Sequence, residues 1–429
     1  MEQKSWIISV NMGYGHQRTA FPLRELALGG DIINANNYQG IPRQDRNIWE
    51  STRTLYEAIA GFYRIPLIGK PIFGIFDKFQ KIFDFYPKRD LSRPNFQLKQ
   101  IISIIKSGWG RHLIQKLKIE NEALKRNPPI ITTFFTTAFM AEIFDYPGDI
   151  FCIVCDADIS RTWAPLNPKI SKIKYFAPTE RVMERLMLYG VNPDNIIFSG
   201  YPLPVKNIGN EQMEILKEDL RQRILNLDPQ KKYFEKYGNL IKANLGELPN
   251  SSRRQLTIMF SVGGAGAQRE IGISIIRSLN QKIRSGLVKV VLSAGIKEKV
   301  KIYFEKAISA LNFHQGVEIL FENDIENYFR KFNSILRKTD ILWTKPSELS
   351  FYSALGIPII VSPPIGSQEE FNKRWLLKSG FGLTQENPKF TSQWLFDWLD
   401  KGYLAEAAME GFVEGEKLGT LKIKEVITK

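Results

Sequence analysis

The sequence predicts an α/β protein of two doubly wound domains facing each other across a cleft, with a helical insertion between them. Three observations carry this. Apolar runs alternate with helical segments in two separate blocks, each block opens with a strand, a glycine turn and a helix, and 429 residues exceed what one hydrophobic core usually supports. Strands separated by helices pair in parallel through right-handed crossovers.

The first block, residues 1–205, runs through "SWIISV", the helical "QRTAFPLRELAL", "PPIITTFF", "DIFCIVCDAD", "KIKYFAPT", the helix "ERVMERLMLYG" and "NIIFSG". Residues 206–254 break the pattern. Long charged helical stretches such as "NEQMEILKEDLRQRILNL" end in the polar "GELPNSSRRQ", which reads as an insertion or linker. From residue 255 to 429 the alternation restarts with "QLTIMFSV", a glycine turn, "QREIGISIIRSLNQKIRSG", "VKVVLSAG", "GVEILFE", "ILWTK", a short helix from about Glu348 to Leu355, and "PIIVSPP". In open sheets of this kind ligands sit outside the carboxyl ends of the strands, so functional residues are sought there.

Composition narrows the classes. The formal net charge of +14 calls for an acidic partner, which leaves nucleic acid, an anionic membrane surface and a nucleotide-linked substrate. No nucleic-acid reader module is present and the basic residues are scattered over both halves, which speaks against nucleic acid. There is no basic leader with an apolar core, and no run approaches the ~18 apolar residues of a membrane span, so the chain is read as cytoplasmic. Cys152 and Cys155 lie three apart in an apolar run, where strand geometry splays them to opposite faces; they read as structural, and no metal site is expected.

Two glycine turns carry the chemistry. In "SVGGAGAQRE", Gly263, Gly264 and Gly266 join strand to helix, so that bare amides at a helix start approach an anion, which favours phosphate; a tight turn without a ligand is the plainer reading. The turn is neither G-x-G-x-x-G nor a P-loop, which disfavours a nicotinamide dehydrogenase or an ATPase. In "VNMGYGHQRTA", Gly13 and Gly15 precede and flank His16, one of three histidines in the chain. Near the end, "PPIGSQEEFN" places Gln368, Glu369 and Asn372 after a strand's carboxyl edge, where amides and carboxylates suit sugar hydroxyls; a solvated helix start is the plainer reading.

Several pieces, in shared order, resemble the GT-B glycosyltransferases that include monogalactosyldiacylglycerol synthase, processive diacylglycerol glucosyltransferases and the peptidoglycan lipid-linked N-acetylglucosamine transferase. "NMGYGHQRTA" is similar to the family's Gly-Gly-His loop, and "VCDADISRTW" to its Thr-Asp-x-Asp-x-His-Arg-x-Trp stretch. "YFAPTERVMERLMLYGVNPDNIIFSGYPLP" follows its Pro-Thr-Glu helix and Thr-Gly-Ile-Pro closure, and "TKPSELS…ALGIPIIVSPPIGSQEEFN…LLKSGFG" its donor-sugar segment. The likeness spans nearly the whole chain outside residues 206–254.

The resemblance implies inverting transfer of a sugar from a UDP-sugar to a lipid or lipid-linked acceptor, with no cofactor and no metal. It implies His16 as general base or acceptor-orienting group, with Asp156 either orienting His16 or accepting a substrate hydroxyl; read from the residues alone, His16 also fits a helix cap or loop packing, and Asp156 and Asp158 serve equally well as turn caps. Gly13, Gly15, Asp158, Arg161 and Trp163 would meet the acceptor. Gly263, Gly264, Gly266, Ala267, Gln268, Lys345, Ser347, Glu348, Gln368, Glu369 and Asn372 would meet the donor. Two departures stand out. Ser160 replaces the family's His, and the Glu that grips the donor ribose in the family falls on Ser353, in a segment two residues shorter. Glu348 then takes the ribose, or the donor differs, or donor binding is lost.

Residues 55–96 mix Phe and Tyr with Lys70, Lys78, Lys81, Lys88, Arg89 and Arg93. Phe79, Ile82, Phe83 and Tyr86 recur at helical spacing, as in an interfacial helix on anionic lipid, and the basic stretch 104–118 adds Trp109 at headgroup depth. Core packing is the alternative for these aromatics. The expectation is a peripheral enzyme on the inner face of the membrane. Its rivals are a UDP-sugar epimerase or hydrolase of the same fold, and a non-catalytic sugar-nucleotide or lipid-binding protein.

Overall fold

The structure is a computed structural model and describes residues 3–51, 82–263, 266–313, 315–364 and 367–429. Two compact units make up the chain. The first runs to Pro202 and also takes in the start of helix Ser367–Lys378 as far as Asn372, and Leu418–Lys429; the second spans Leu203–Pro364 and Lys373–Lys417.

In the first unit β1 (Trp6–Ser9), β2 (Ile33–Asn34), β3 (Ile130–Thr132), β4 (Ile150–Ile153), β5 (Ile173–Ala177) and β6 (Ile196–Phe198) form one sheet in the order β2-β1-β3-β4-β5-β6. Every pairing is parallel, for example Ile7 beside Ile131 and Ile131 beside Phe151. Helices cover a parallel sheet on both faces, which is why β1, β3 and β4 are buried at every position and read as unbroken apolar runs. Ile7, Ile131, Phe151 and Phe176 form one core cluster with Ile423 and Ile427 from the last helix, Gly419–Thr428. That helix is covalently continuous with the second block, yet its apolar side is buried in the first unit. Gly419 permits the docking: a Cβ there would lie 2.3 Å from the Tyr201 carbonyl oxygen.

The second unit repeats the design with β7 (Leu256–Ser261), β8 (Val288–Gly295), β9 (Val317–Phe321), β10 (Ile341–Thr344), β11 (Ile359–Val361) and β12 (Gly382–Thr384), ordered β12-β11-β10-β7-β8-β9 and again all parallel. The fold class read from the alternation is therefore present twice. Residues 206–254, read as an insertion or linker, supply helices Glu214–Leu227 and Lys232–Leu245 to this unit. Arg223 is fully buried and donates to the carbonyls of Thr339, Leu355 and Gly356. Burial and the neighbouring Arg254 charge pull its guanidinium down to about 10. These helices are structural parts of the second unit rather than a tether.

Each sheet has a topological switch point, where successive crossovers leave a strand in opposite directions. In the first sheet it lies between β1 and β3, in the second between β7 and β10.

Candidate active site

His16 sits at the first switch point. The chain leaves β1 and enters helix Tyr14–Ala20 through Gly13, whose φ of 90° lies in the region open to glycine and costly for other residues. The His16 Nδ1 lies 2.8 Å from the main-chain oxygen of Thr133, just past the end of β3. A carbonyl oxygen only accepts, so Nδ1 carries the proton and the lone pair resides on Nε2. Two further contacts hold the ring. Phe134 meets it edge-on at 4.8 Å between centroids, and Cys155 Sγ approaches Nδ1 at 3.3 Å.

None of these three partners was legible as a functional residue. Thr133 and Phe134 could have been found from "PPIITTFF", which ends a strand beside the one before the His16 loop. For Cys155 the strand-alternation argument fails because β4 stops at Ile153, so residues 154–158 no longer follow a period of two. Both cysteines are buried and unbridged, and burial drives the Cys152 thiol well above its ordinary value.

Asp156 Oδ1 accepts from Asn372 Nδ2 at 3.1 Å. Thr133 and Cys155 both contact the ring at Nδ1. Asn372 is 1% exposed, and its own Oδ1 accepts from the Ala157 amide at 2.8 Å. Its amide is thus spent inside the first unit, which corrects the expectation of a donor-sugar ligand at this position. Gln368 and Glu369 lie four and three residues earlier on the same helix, hence on the face that Asn372 docks against the end of β4. Both are half-buried.

Three residues expected to meet the acceptor are closed into the interior instead. Asp158 forms a two-pronged ion pair with Arg185, with both contacts at 2.8 Å, and also accepts from the Ile159 amide. Arg161 donates to the carbonyls of Ser92, Ala164 and Pro165. Trp163 packs on Phe135 and its carbonyl takes the Tyr175 hydroxyl. All three are less than 5% exposed, so they shape the loop around Asp156 and do not reach a ligand. Asp158 buried beside a guanidinium is a neutralised pair of the interior.

The second switch point gathers the other predicted cluster. Gly263 follows β7 and Lys345 follows β10. Their register is set by Thr344 pairing with Ser261. A Cβ on Gly263 would lie 2.4 Å from Lys345 Cε, so the bare glycine lets the lysine stem cross the turn in its present course and carry its ammonium there. The Gly266 amide donates to the Gly263 carbonyl at 2.7 Å, closing the turn, and Gly266 has a φ of 67°. Gly264 lies outside the described residues. Ala267 is buried, and Gln268 caps helix Arg269–Ser278 from a left-handed conformation while its side chain donates to the Pro363 carbonyl. Gln268 is therefore a brace between two loops rather than an open ligand.

Ser347 caps the 3-10 helix Glu348–Leu355 by accepting from Leu349 N at 3.4 Å. Ser353, where the family's ribose-gripping carboxylate falls, is fully buried; a Cβ on Gly411 would come within 2.4 Å of its carbonyl oxygen. Glu348, 9% exposed at the head of the helix, is the remaining carboxylate of the segment.

The basic-aromatic stretch is described only from Ile82 onward; Lys70, Lys78, Phe79 and Lys81 lie outside the described residues. Residues 82–95 are not helical, which departs from the helix expected through Tyr86. Phe83, Tyr86 and Phe96 are exposed, Tyr86 by 67%, among the exposed Lys88, Arg89 and Arg93. Trp109 has the opposite fate. It lies in a left-handed turn between Gly108 and Gly110, packs on Trp49 at 4.6 Å and is 5% exposed, so it is a core residue. Among the described residues no helix is long and apolar enough to cross a membrane.

A cavity of about 860 Å³ opens at the amino ends of the strands of the first sheet, where Ile150 begins β4 and Ser171 and Lys172 precede β5. It contains none of the predicted site residues.

Comparison with known proteins gives, among others, four matches. Residues 296–373 match a family described as a domain of unknown function, DUF6938. The processive diacylglycerol beta-glucosyltransferase of Bacillus subtilis (strain 168) is 22% identical over 384 residues, covering 88% of this chain and 82% of that protein. Among solved structures, MurG of Acinetobacter baumannii aligns with a TM-score of 0.44 at 12% identity over 87% of this chain and 95% of that one. The UDP-GlcNAc 2-epimerase of Neisseria meningitidis, bound to UDP-GlcNAc, aligns at 0.45 and 15% over 79% and 84%.

Proposed function

We propose that this chain, a glycosyltransferase of the GT-B type, moves a hexose from a UDP-sugar to a hydroxyl of a lipid acceptor at an anionic membrane surface, with inversion at the anomeric carbon. Its class rests on the two doubly wound parallel sheets together with the near full-length likeness to a diacylglycerol glucosyltransferase. The observation that carries the reaction is the His16 ring, fixed through Nδ1 at a switch point so that Nε2 holds the lone pair.

In this reading the acceptor oxygen attacks the anomeric carbon while its proton passes to Nε2. The bond from that carbon to the diphosphate oxygen breaks, and its electron pair leaves with UDP. The Lys345 ammonium, with the Gly263 amide beside it, takes up the charge that develops on the leaving group, a task the reading gives to these residues and not to a metal. Gln368 and Glu369 meet sugar hydroxyls, and Glu348 meets the ribose in place of the residue lost at Ser353. Exposed Phe83, Tyr86 and Phe96 among Lys88, Arg89 and Arg93 support contact with an anionic bilayer, since aromatic and cationic side chains together suit the headgroup layer.

Calorimetric titration with UDP and a set of UDP-sugars tests the donor half. Binding of UDP and of one UDP-sugar well below the millimolar range is expected. Absence of any nucleotide binding at millimolar concentration would remove the transferase reading.

A further inference from the structure

Asn372 is the point of interest, because its two amide ends are used and both reach the same place. Its Oδ1 accepts from Ala157 N at 2.8 Å and its Nδ2 donates to Asp156 Oδ1 at 3.1 Å, across a separation of more than 200 residues. The Ala157 carbonyl is held as well, by the Thr179 hydroxyl at 3.1 Å, and Thr179 also caps helix Glu180–Leu188. Ala157 is therefore pinned at both its amide and its carbonyl by side chains that are themselves at least nine-tenths buried. A hydrogen bond that is out of water and bonded to a carboxylate is stronger and more directional than an exposed one.

We infer that Asn372 is a positioning residue: it locks the Asp156 carboxylate in place and fastens the Gln368–Glu369 turn to the end of β4, so that the sugar-contacting side chains and Asp156 move as one body. This rests on the proposed transferase reading for its catalytic consequence, but the clamp itself is a matter of hydrogen bonding and stands apart from it. A direct sugar contact is the other role such an amide could have. The two roles separate because a ligand residue governs which sugar is accepted, whereas a clamp governs rate and rigidity.

Asn372→Asp keeps the shape and the acceptor for Ala157 N but turns an oxygen toward Asp156 Oδ1. It is expected to lower the melting temperature by roughly 2–5 °C and turnover by about tenfold or more, with the donor KM within about twofold and the ratio of UDP-glucose to UDP-galactose use unchanged. Pairing it with Asp156→Asn reverses the polarity of the bond and returns the melting temperature to the native value. The inference is overturned if Asn372→Asp leaves the melting temperature unchanged, if the paired exchange fails to restore it, or if the single variant shifts the glucose-to-galactose ratio tenfold. Should the native protein transfer no sugar at all, the function proposed above falls, while the melting-temperature comparison still decides the clamp.

Discussion

Replacing His16 by alanine is expected to lower kcat by roughly a hundredfold or more, the usual contribution of a positioned general base, with UDP affinity left within about twofold. The expected split follows from where the groups lie. His16 belongs to the first unit and is held by Thr133, Phe134 and Cys155, whereas the residues assigned to the diphosphate, Gly263 and Lys345, belong to the second. Loss of an interaction made only as the proton moves lowers kcat and kcat/KM together. Steady-state kinetics with calorimetry on the same preparation checks this. Normal turnover with weakened UDP binding would remove His16 from the role of base.

The second large effect is on stability. Asp158→Ala strips a buried carboxylate from Arg185, whose side chain is fully buried and has its charge supported by that carboxylate. Removing one member of a buried pair leaves the other charge without compensation and costs about 3–5 kcal/mol. Urea denaturation followed by tryptophan fluorescence is expected to show that loss, and Asp158→Ala combined with Arg185→Met is expected to recover most of it, because the stranded charge is gone. Unchanged stability in Asp158→Ala, with acceptor KM raised, would return Asp158 to the acceptor-contacting role read from the sequence.

Much of the fold was legible because strands buried on both faces leave a plain signature: "WIIS", "IFCI" and "ILWT" are apolar at nearly every position, and each is followed by a turn and a helix. The glycine turns carrying His16 and Gly263 were legible for a related reason. Both fall at switch points, where a crossover must change direction and the backbone needs unusual torsions.

Side-chain commitments were less legible. Asp156 and Asp158 stand two apart in sequence, yet one faces Asn372 and the other is paired with Arg185, since the chain past Ile153 is no longer a strand. The Asn372 clamp links positions too far apart for any spacing rule to register. Trp109 was placed at a membrane surface on composition, and the two glycines around it fold it back onto Trp49. The last helix carries the same lesson at larger scale. Nothing in the sequence of Ile423 and Ile427 tells which sheet they cover, and only the three-dimensional core does.

Incubating the native protein with labelled UDP-sugars and a total lipid extract, then following label into the organic phase, tests the central claim most directly. The account predicts that label from one UDP-sugar enters lipid in a protein-dependent way and that a matched quantity of UDP is released. Release of UDP with the label left entirely as free sugar, or no release from any donor, would contradict it.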